Sequence, residues 1–475
     1  MAVAAAALAS SEIVAGLVAR ACAAQSAVSA YTQAQTNTLV TAVAWACYRT
    51  DRAEALARLA IEDTGLGRYE DKVIKNQRKT FGTLRDLLDP GAVSVGIIDD
   101  DPATGIQRIA KPVGVVAALC PSTNPSATPI NKTMMALKGR NAVILAPSPK
   151  GASTCAKTVE YIHAELDRIG APRDLVQMLP PPISKELTQA LMRAVDLVVV
   201  TGSQGNVRSA YSSGTPAIGV GAGNVPVIVD ATADLADAAG KIARSKTFDY
   251  ATSCSSENSL VILDAVYDAT VAALRREGGY LLDATQRAQL RDALFLPNGK
   301  LSDKITAQAP ARIAREAGFT DPAASEAAFF LVEDDGVGDD HPFSGEKLCV
   351  ALTLFRVRDF PAAVARVQDI LDYSGAGHSC GIHTADAAHA QELADVTRVV
   401  RVLVNQSHCF NNGGGFDNGL NFTLSMGCGT WAGNSISENL SYRHFLNVTH
   451  LVRTIAPREP SEDELFGAYV KGFDA

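Results

Sequence analysis

The chain has 475 residues, 47% of them hydrophobic and 20% charged, so it can bury large cores and is too long for one. A net charge of −8 with no basic block excludes a nucleic-acid surface as its main business. No run approaches the roughly 20 apolar residues of a membrane span, and nine cysteines without a CxxC pair fit a reducing, cytoplasmic compartment better than a disulfide framework or a zinc site.

The N-terminal 22 residues superficially resemble a signal segment but lack a basic flank. Ile13, Leu17 and Val18 instead predict an amphipathic helix opening on Ser10 or Ser11. Residues 10–87 read as helices, punctuated by Thr50-Asp51 and Asp63-Thr64-Gly65. Two apolar runs, 92–98 and 106–109, flank the turn 100–105 and predict a hairpin over 92–109, an arm for association between copies.

From Gly114 strand and helix alternate. Strands are expected at 115–119, 142–145, 175–179 and 197–201, with helices ending near Gly139, spanning 153–169 and spanning 184–194. Continuous β-branched runs, without alternation, mean strands buried on both faces, hence a parallel doubly wound sheet. Ligands bind such sheets at the carboxyl ends of strands, so the loops opening at Pro121, Ala146, Gly202 and Gly219 are the ones to watch. A second strand–helix series starts near Leu260, with Asp264 as a helix cap and strands at 329–332, 350–355 and 402–404. The expected division is 1–229, 230–430 and a return over 431–475.

Three features carry chemistry. Cys254 lies in a short polar loop after a helical pattern, where a thiol can be presented to a substrate. Gly219-Val-Gly221-Ala-Gly223-Asn224 is glycine-dense and suits either close backbone approach to a flat ligand or a tight bend between strands. It is not GxGxxG, and neither is Gly202-Ser203-Gln204-Gly205, so neither makes an ordinary dinucleotide fingerprint.

With these residues the chain resembles the aldehyde dehydrogenases, and within them the CoA-acylating branch. The resemblance covers about residues 10–455. It is carried by Pro121-Ser-Thr-Asn124-Pro125, by residues 211–226, by Ser245–Phe248 running into Cys254-Ser-Ser-Glu257, and by Gly345-Glu346, Gly375-Ala-Gly-His378 and 426–439. It implies that family's α/β fold: a doubly wound cofactor domain, an α/β catalytic domain and an oligomerisation hairpin, in a homodimer or homotetramer.

The resemblance also implies roles. Cys254 is the nucleophile, forming a thiohemiacetal and then a thioester, and Asn124 with the Cys254 backbone N–H holds the oxyanion. Glu346 holds the nicotinamide ribose, while Gly202, Ser203 and Gly221 approach the cofactor. Hydrolytic members carry a glutamate in the glycine-dense stretch; here the matching position falls in Gly219–Gly221, with no side chain able to activate water. Coenzyme A is then the acceptor, with His378 assisting its thiol unless that histidine is only a turn residue. No acidic residue follows the strand at 142–145, and Ser148 with Lys150 suits a 2′-phosphate, favouring NADP over NAD. The stretch 405–431 resembles acylating enzymes of sulfoacetaldehyde, with acetaldehyde and succinate semialdehyde as alternatives. Candidates for the sulfonate are His408, Asn411 and Asn412, with Arg398 or Arg401 unless these face solvent.

Overall fold

A computed structural model describes residues 2–472. Four helices open the chain: α1 (Ala2–Val28), α2 (Gln33–Tyr48), α3 (Thr50–Thr64) and α4 (Tyr69–Leu88). The first begins well before the expected Ser10, because the upstream alanines are the best helix formers and need no cap to extend it. Gly65 stops α3 in the left-handed region at φ 66°.

The hairpin forms from β1 (Gly96–Asp101) and β2 (Ile106–Pro112), a few residues later than its apolar runs suggest. Its partner is the late strand β15 (Leu446–Val452), giving an antiparallel three-stranded sheet in the order β1-β2-β15. Ile97, Val448, Leu451 and Val452 are exposed on it.

The first parallel sheet takes the order β5-β4-β3-β6-β7, from β3 (Val115–Cys120), β4 (Ala142–Pro147), β5 (Val176–Met178), β6 (Leu197–Val200) and β7 (Ala217–Gly219). Every residue of β3, β4 and β6 is buried, as continuous apolar runs require. Helices α5 (Ala127–Lys138), α6 (Ala152–Arg168), α7 (Lys185–Ala194) and α8 (Gln204–Tyr211) accompany it. Each fully buried Val, Leu or Ile here contributes roughly 1.5–3 kcal/mol. Leu440, Tyr442 and Phe445 join the same core.

The second sheet has seven parallel strands in the order β10-β11-β12-β9-β8-β13-β14. These are β8 (Val225–Val229), β9 (Glu257–Leu263), β10 (Gly279–Leu281), β11 (Phe329–Glu333), β12 (Ala351–Val357), β13 (Cys380–His383) and β14 (Val402–Val404). The expected seam at 229/230 needs correction. β8 pairs with β9 and β13, so the chain leaves the first sheet after Gly219 and enters the second at Val225. A run as apolar as 225–229 fits either layer; only its hydrogen-bond partners decide. Asp264 opens a short 3-10 turn and not the following helix, which starts at Tyr267.

Candidate active site

All four loops singled out from the strand ends meet in one cavity of about 840 Å³, lined among others by Pro121, Ala146, Gly202 and Val220. Cys254, Asn124, Glu346, His378, Gly221, Ser148 and Ser203 line it too.

Cys254 is delivered by an unusual turn. Helix α9 (Leu235–Thr247), capped by Asp234, runs into residues 248–251, where Asp249, Tyr250 and Ala251 have φ of 50°, 49° and 58°. Left-handed non-glycine residues cost of order 1–3 kcal/mol each, so something must hold them. Asp249 does. Its carboxylate, fully buried, accepts from Lys72 Nζ (3.1 Å), Lys75 Nζ, Thr252 Oγ1 (2.6 Å) and the Arg68 N–H (2.8 Å). Its own N–H donates to Asp71. The two lysines hold the Asp249 carboxyl below the usual carboxylate range against the opposing effect of burial.

Lys75 has a second task. Its ammonium also donates to Asn124 Oδ1 (3.0 Å) and Thr252 Oγ1 (3.0 Å). With the amide oxygen held there and one amide N–H directed at Thr123 Oγ1 (3.4 Å), the Asn124 NH2 keeps its other N–H for a ligand. Lys72, Lys75 and Asp249 were not legible as site residues. The only sequence signal is the spacing of Lys72, Lys75 and Lys79 along one face of α4, which an ordinary solvated lysine face also shows.

Burial, then the nearby Glu346 carboxylate, push the Cys254 thiol up to about 12. Burial also pushes Glu346 up to about 8, while Lys246, Lys347 and a Gly223 backbone bond oppose the rise. The glycine-dense stretch serves close approach: a Cβ on Gly223 would lie 2.1 Å from the Cys254 carbonyl oxygen. Glu346 is the only carboxylate among the residues lining the cavity.

His378 is buried with Nε2 unpaired, while Nδ1 meets Ser379 Oγ (2.8 Å), which in turn meets His408 Nε2 (2.9 Å). Burial, Arg401 and His408 hold His378 well below the usual histidine range, so it is neutral at pH 7.

Several of the expected residues lie away from the cavity wall. Lys150 lies outside the cavity wall and pairs with exposed Asp303 (3.2 Å); at that end Ser148, Ser184 and Lys185 line the cavity instead. His408, Asn411 and Asn412 do not line it. His408 backs His378, Asn411 Nδ2 faces Asp417, and Asn412 Nδ2 donates to Ser255 Oγ (3.1 Å). A polar run reads as a ligand site in sequence, but here its polar groups bond Ser379, Ser255 and the loop's own Asp417. Arg401 is buried and spent on the carbonyls of His378 and Gly427, and Arg398 pairs with Asp372 on the surface. Away from the cavity, Asp334, Asp335 and His341 group together, with Arg287 also on Asp334.

A parallel-sheet cleft brings together a loop thiol, a held amide and a neutral histidine, and the chain is an enzyme of the aldehyde dehydrogenase family. That family's sequence model matches residues 1–279. The chain is 56% identical over 461 residues to a Cupriavidus necator protein named sulfoacetaldehyde dehydrogenase (acylating), covering 97% of this chain and 93% of that one. An acetylating aldehyde dehydrogenase from Geobacillus thermoglucosidasius superposes with a TM-score of 0.90 at 33% identity, over 96% of this chain and 99% of that one. A Rhodopseudomonas palustris propionaldehyde dehydrogenase, solved with bound CoA and an acylated cysteine, matches with a TM-score of 0.82 at 25% identity over 93% and 97% of the two chains. The aldehyde dehydrogenase fold expected from the motifs is the fold of this chain. Among the described residues no helix is long and apolar enough to cross a membrane.

Proposed function

We infer that this chain is a CoA-acylating dehydrogenase that oxidises sulfoacetaldehyde to sulfoacetyl-CoA with NADP or NAD. The substrate rests on the likeness to the Cupriavidus necator enzyme. The observation that carries the acylating step is the wall at 219–223. It faces the nucleophile with backbone, Val220 and Ala222 only, and no side chain there can take a proton from water.

The cavity fits a dinucleotide. Gly202 and Ser203 line it at the start of α8, Gly221 leaves room that a Cβ would fill against Cys428, and Ser148 with Lys185 offers donors at the far end. Glu346 would take the ribose hydroxyls. When bound, the nicotinamide supplies the acceptor for the two electrons that leave the aldehyde carbon.

The protein's own groups do the rest. Cys254 reacts as its thiolate, the thiol proton leaving to solvent: Sγ bonds to the aldehyde carbon, the C=O π pair moves onto oxygen, and that oxyanion lies between the Asn124 amide and the Cys254 N–H. Oxidation leaves a thioester on Cys254. Neutral His378, which lines the cavity and has no partner on its buried Nε2, accepts the proton of the CoA thiol, whose sulfur displaces Cys254 from the acyl carbon as its thiolate. We also place this enzyme in the cytoplasm and pair copies of it through the β1-β2-β15 sheet, supported by its free cysteines and that sheet's exposed apolar residues.

The test follows absorbance of the reduced nicotinamide with sulfoacetaldehyde and NADP, with and without CoA. Sustained turnover only with CoA is expected. Equal rates without CoA would overturn the acylating step, and CoA-dependent turnover of acetaldehyde or succinate semialdehyde alone would overturn the substrate.

A further inference from the structure

We propose that Lys79 receives the sulfonate of sulfoacetaldehyde and so selects aldehydes that carry an anionic group next to the reacting carbon. This rests on the acylating reading above and names the group that recognises the substrate.

Lys79 lines the same cavity as Cys254 and Asn124, at an end walled by Gly413, Thr423, Leu424 and Met426. It follows Lys75 by four residues on α4, so both side chains leave the same face, their Cα atoms about 6 Å apart along the axis. Lys75 holds Asn124, the amide for the carbonyl oxygen. Lys79 therefore stands one helical turn from the lysine that holds the carbonyl anchor. A two-carbon aldehyde held at Cys254 extends its second substituent over that order of distance.

The ammonium is also short of a partner. It donates to the Gly413 carbonyl (2.7 Å) and lies over the Phe422 ring at 5.3 Å. Among the described residues no carboxylate lies within ion-pair distance of it. The nearby acid, Asp86, is engaged by Arg85 and by the Phe422 N–H. Two further N–H donors remain for a ligand, and the surrounding wall offers only neutral groups such as the Ser255 and Thr423 hydroxyls. Glu346, the one carboxylate of the cavity, lies against Gly223 on the glycine wall. Burial pulls the unpaired lysine down to about 8, a cost that an arriving anion relieves. The same lysine pins the 405–426 loop through Gly413, and a role limited to that would affect all aldehydes alike.

The experiment measures kcat/KM for sulfoacetaldehyde and for acetaldehyde in the wild type, Lys79→Gln and Lys79→Arg. Ethanesulfonate serves as a separate unreactive probe competing with acetaldehyde. In Lys79→Gln the ratio of the two kcat/KM values should fall about 10- to 100-fold, the loss of one charge-assisted bond. Lys79→Arg should recover most of it. An unchanged ratio, with both aldehydes slowed alike, overturns the proposal. If the wild type oxidises acetaldehyde but not sulfoacetaldehyde, the substrate reading falls on its own. Ethanesulfonate then decides Lys79: competitive inhibition that the glutamine variant loses supports the anion site. Absence of inhibition in the wild type, which needs no variant to fold, overturns it.

Discussion

Replacing Lys75 by methionine separates the chemistry of the site from its scaffolding. The ammonium makes three bonds, to Asn124 Oδ1, Asp249 Oδ2 and Thr252 Oγ1. Removing one partner of a buried ion pair costs about 3–5 kcal/mol when the other charge is left alone. Asp249 keeps Lys72, Thr252 and the Arg68 N–H, so the expected loss of stability is about 2–3 kcal/mol, and the fold survives. For the reaction, the Asn124 amide loses what fixes its oxygen. Loss of one oxyanion donor lowers kcat by about 100- to 1,000-fold, and a loosened donor should lose about tenfold or more. Steady-state kcat at saturating aldehyde, NADP and CoA would be measured for Lys75→Met, Asn124→Ala and the double variant, with thermal midpoints taken separately. Because Lys75 acts through Asn124, the double variant should be no slower than Asn124→Ala alone. Losses that multiply would mean that Lys75 works through the Cys254 turn, and an unaltered kcat in Lys75→Met would refute the reasoning outright.

The Cys254 thiol, pushed up to about 12, should be alkylated slowly by iodoacetamide at neutral pH in the cofactor-free enzyme. Its rate should climb with pH as the thiolate fraction grows; a plateau near the ordinary cysteine value, followed by mass spectrometry of the Cys254 peptide, would contradict the burial argument. His378→Ala should retain a first burst of reduced nicotinamide while slowing the CoA-dependent steady state about 100-fold or more, and an unchanged steady state would remove the histidine from the transfer step. Since Lys185 lines the cavity and Lys150 faces Asp303, Lys185→Met should raise the KM for NADP well above that for NAD, whereas Lys150→Met should leave the ratio unchanged.

Much of the fold was readable because two-sided burial leaves a plain trace. The runs at 115–120, 142–147 and 197–200 are apolar without alternation, and the loops at their carboxyl ends converge on the cavity as parallel sheets dictate. Cys254 and Asn124 came from motif resemblance, and the structure brings them to one cavity. The charged support behind them did not come through. Lysines at 72, 75 and 79 look like a solvated helix face until α4 is packed against the Cys254 turn, and no local pattern announces that contact. In the 405–412 stretch the histidine and asparagines carry hydrogen bonds within the protein, a use that a polar run does not distinguish in sequence from a ligand site. Which sheet owns 225–229 was undecidable for the same reason: a strand's partners lie far away in sequence.

The five residues 220–224 that join the two sheets have a mechanical meaning. They form the direct crossing at the nucleophile, and Gly223 runs so close to the Cys254 carbonyl that not even a methyl group fits between them. A rotation of one sheet against the other would drive that strap into the cysteine's own backbone. A wedge forced between the layers would disable the enzyme by shifting its sulfur, even if it never touched the aldehyde pocket.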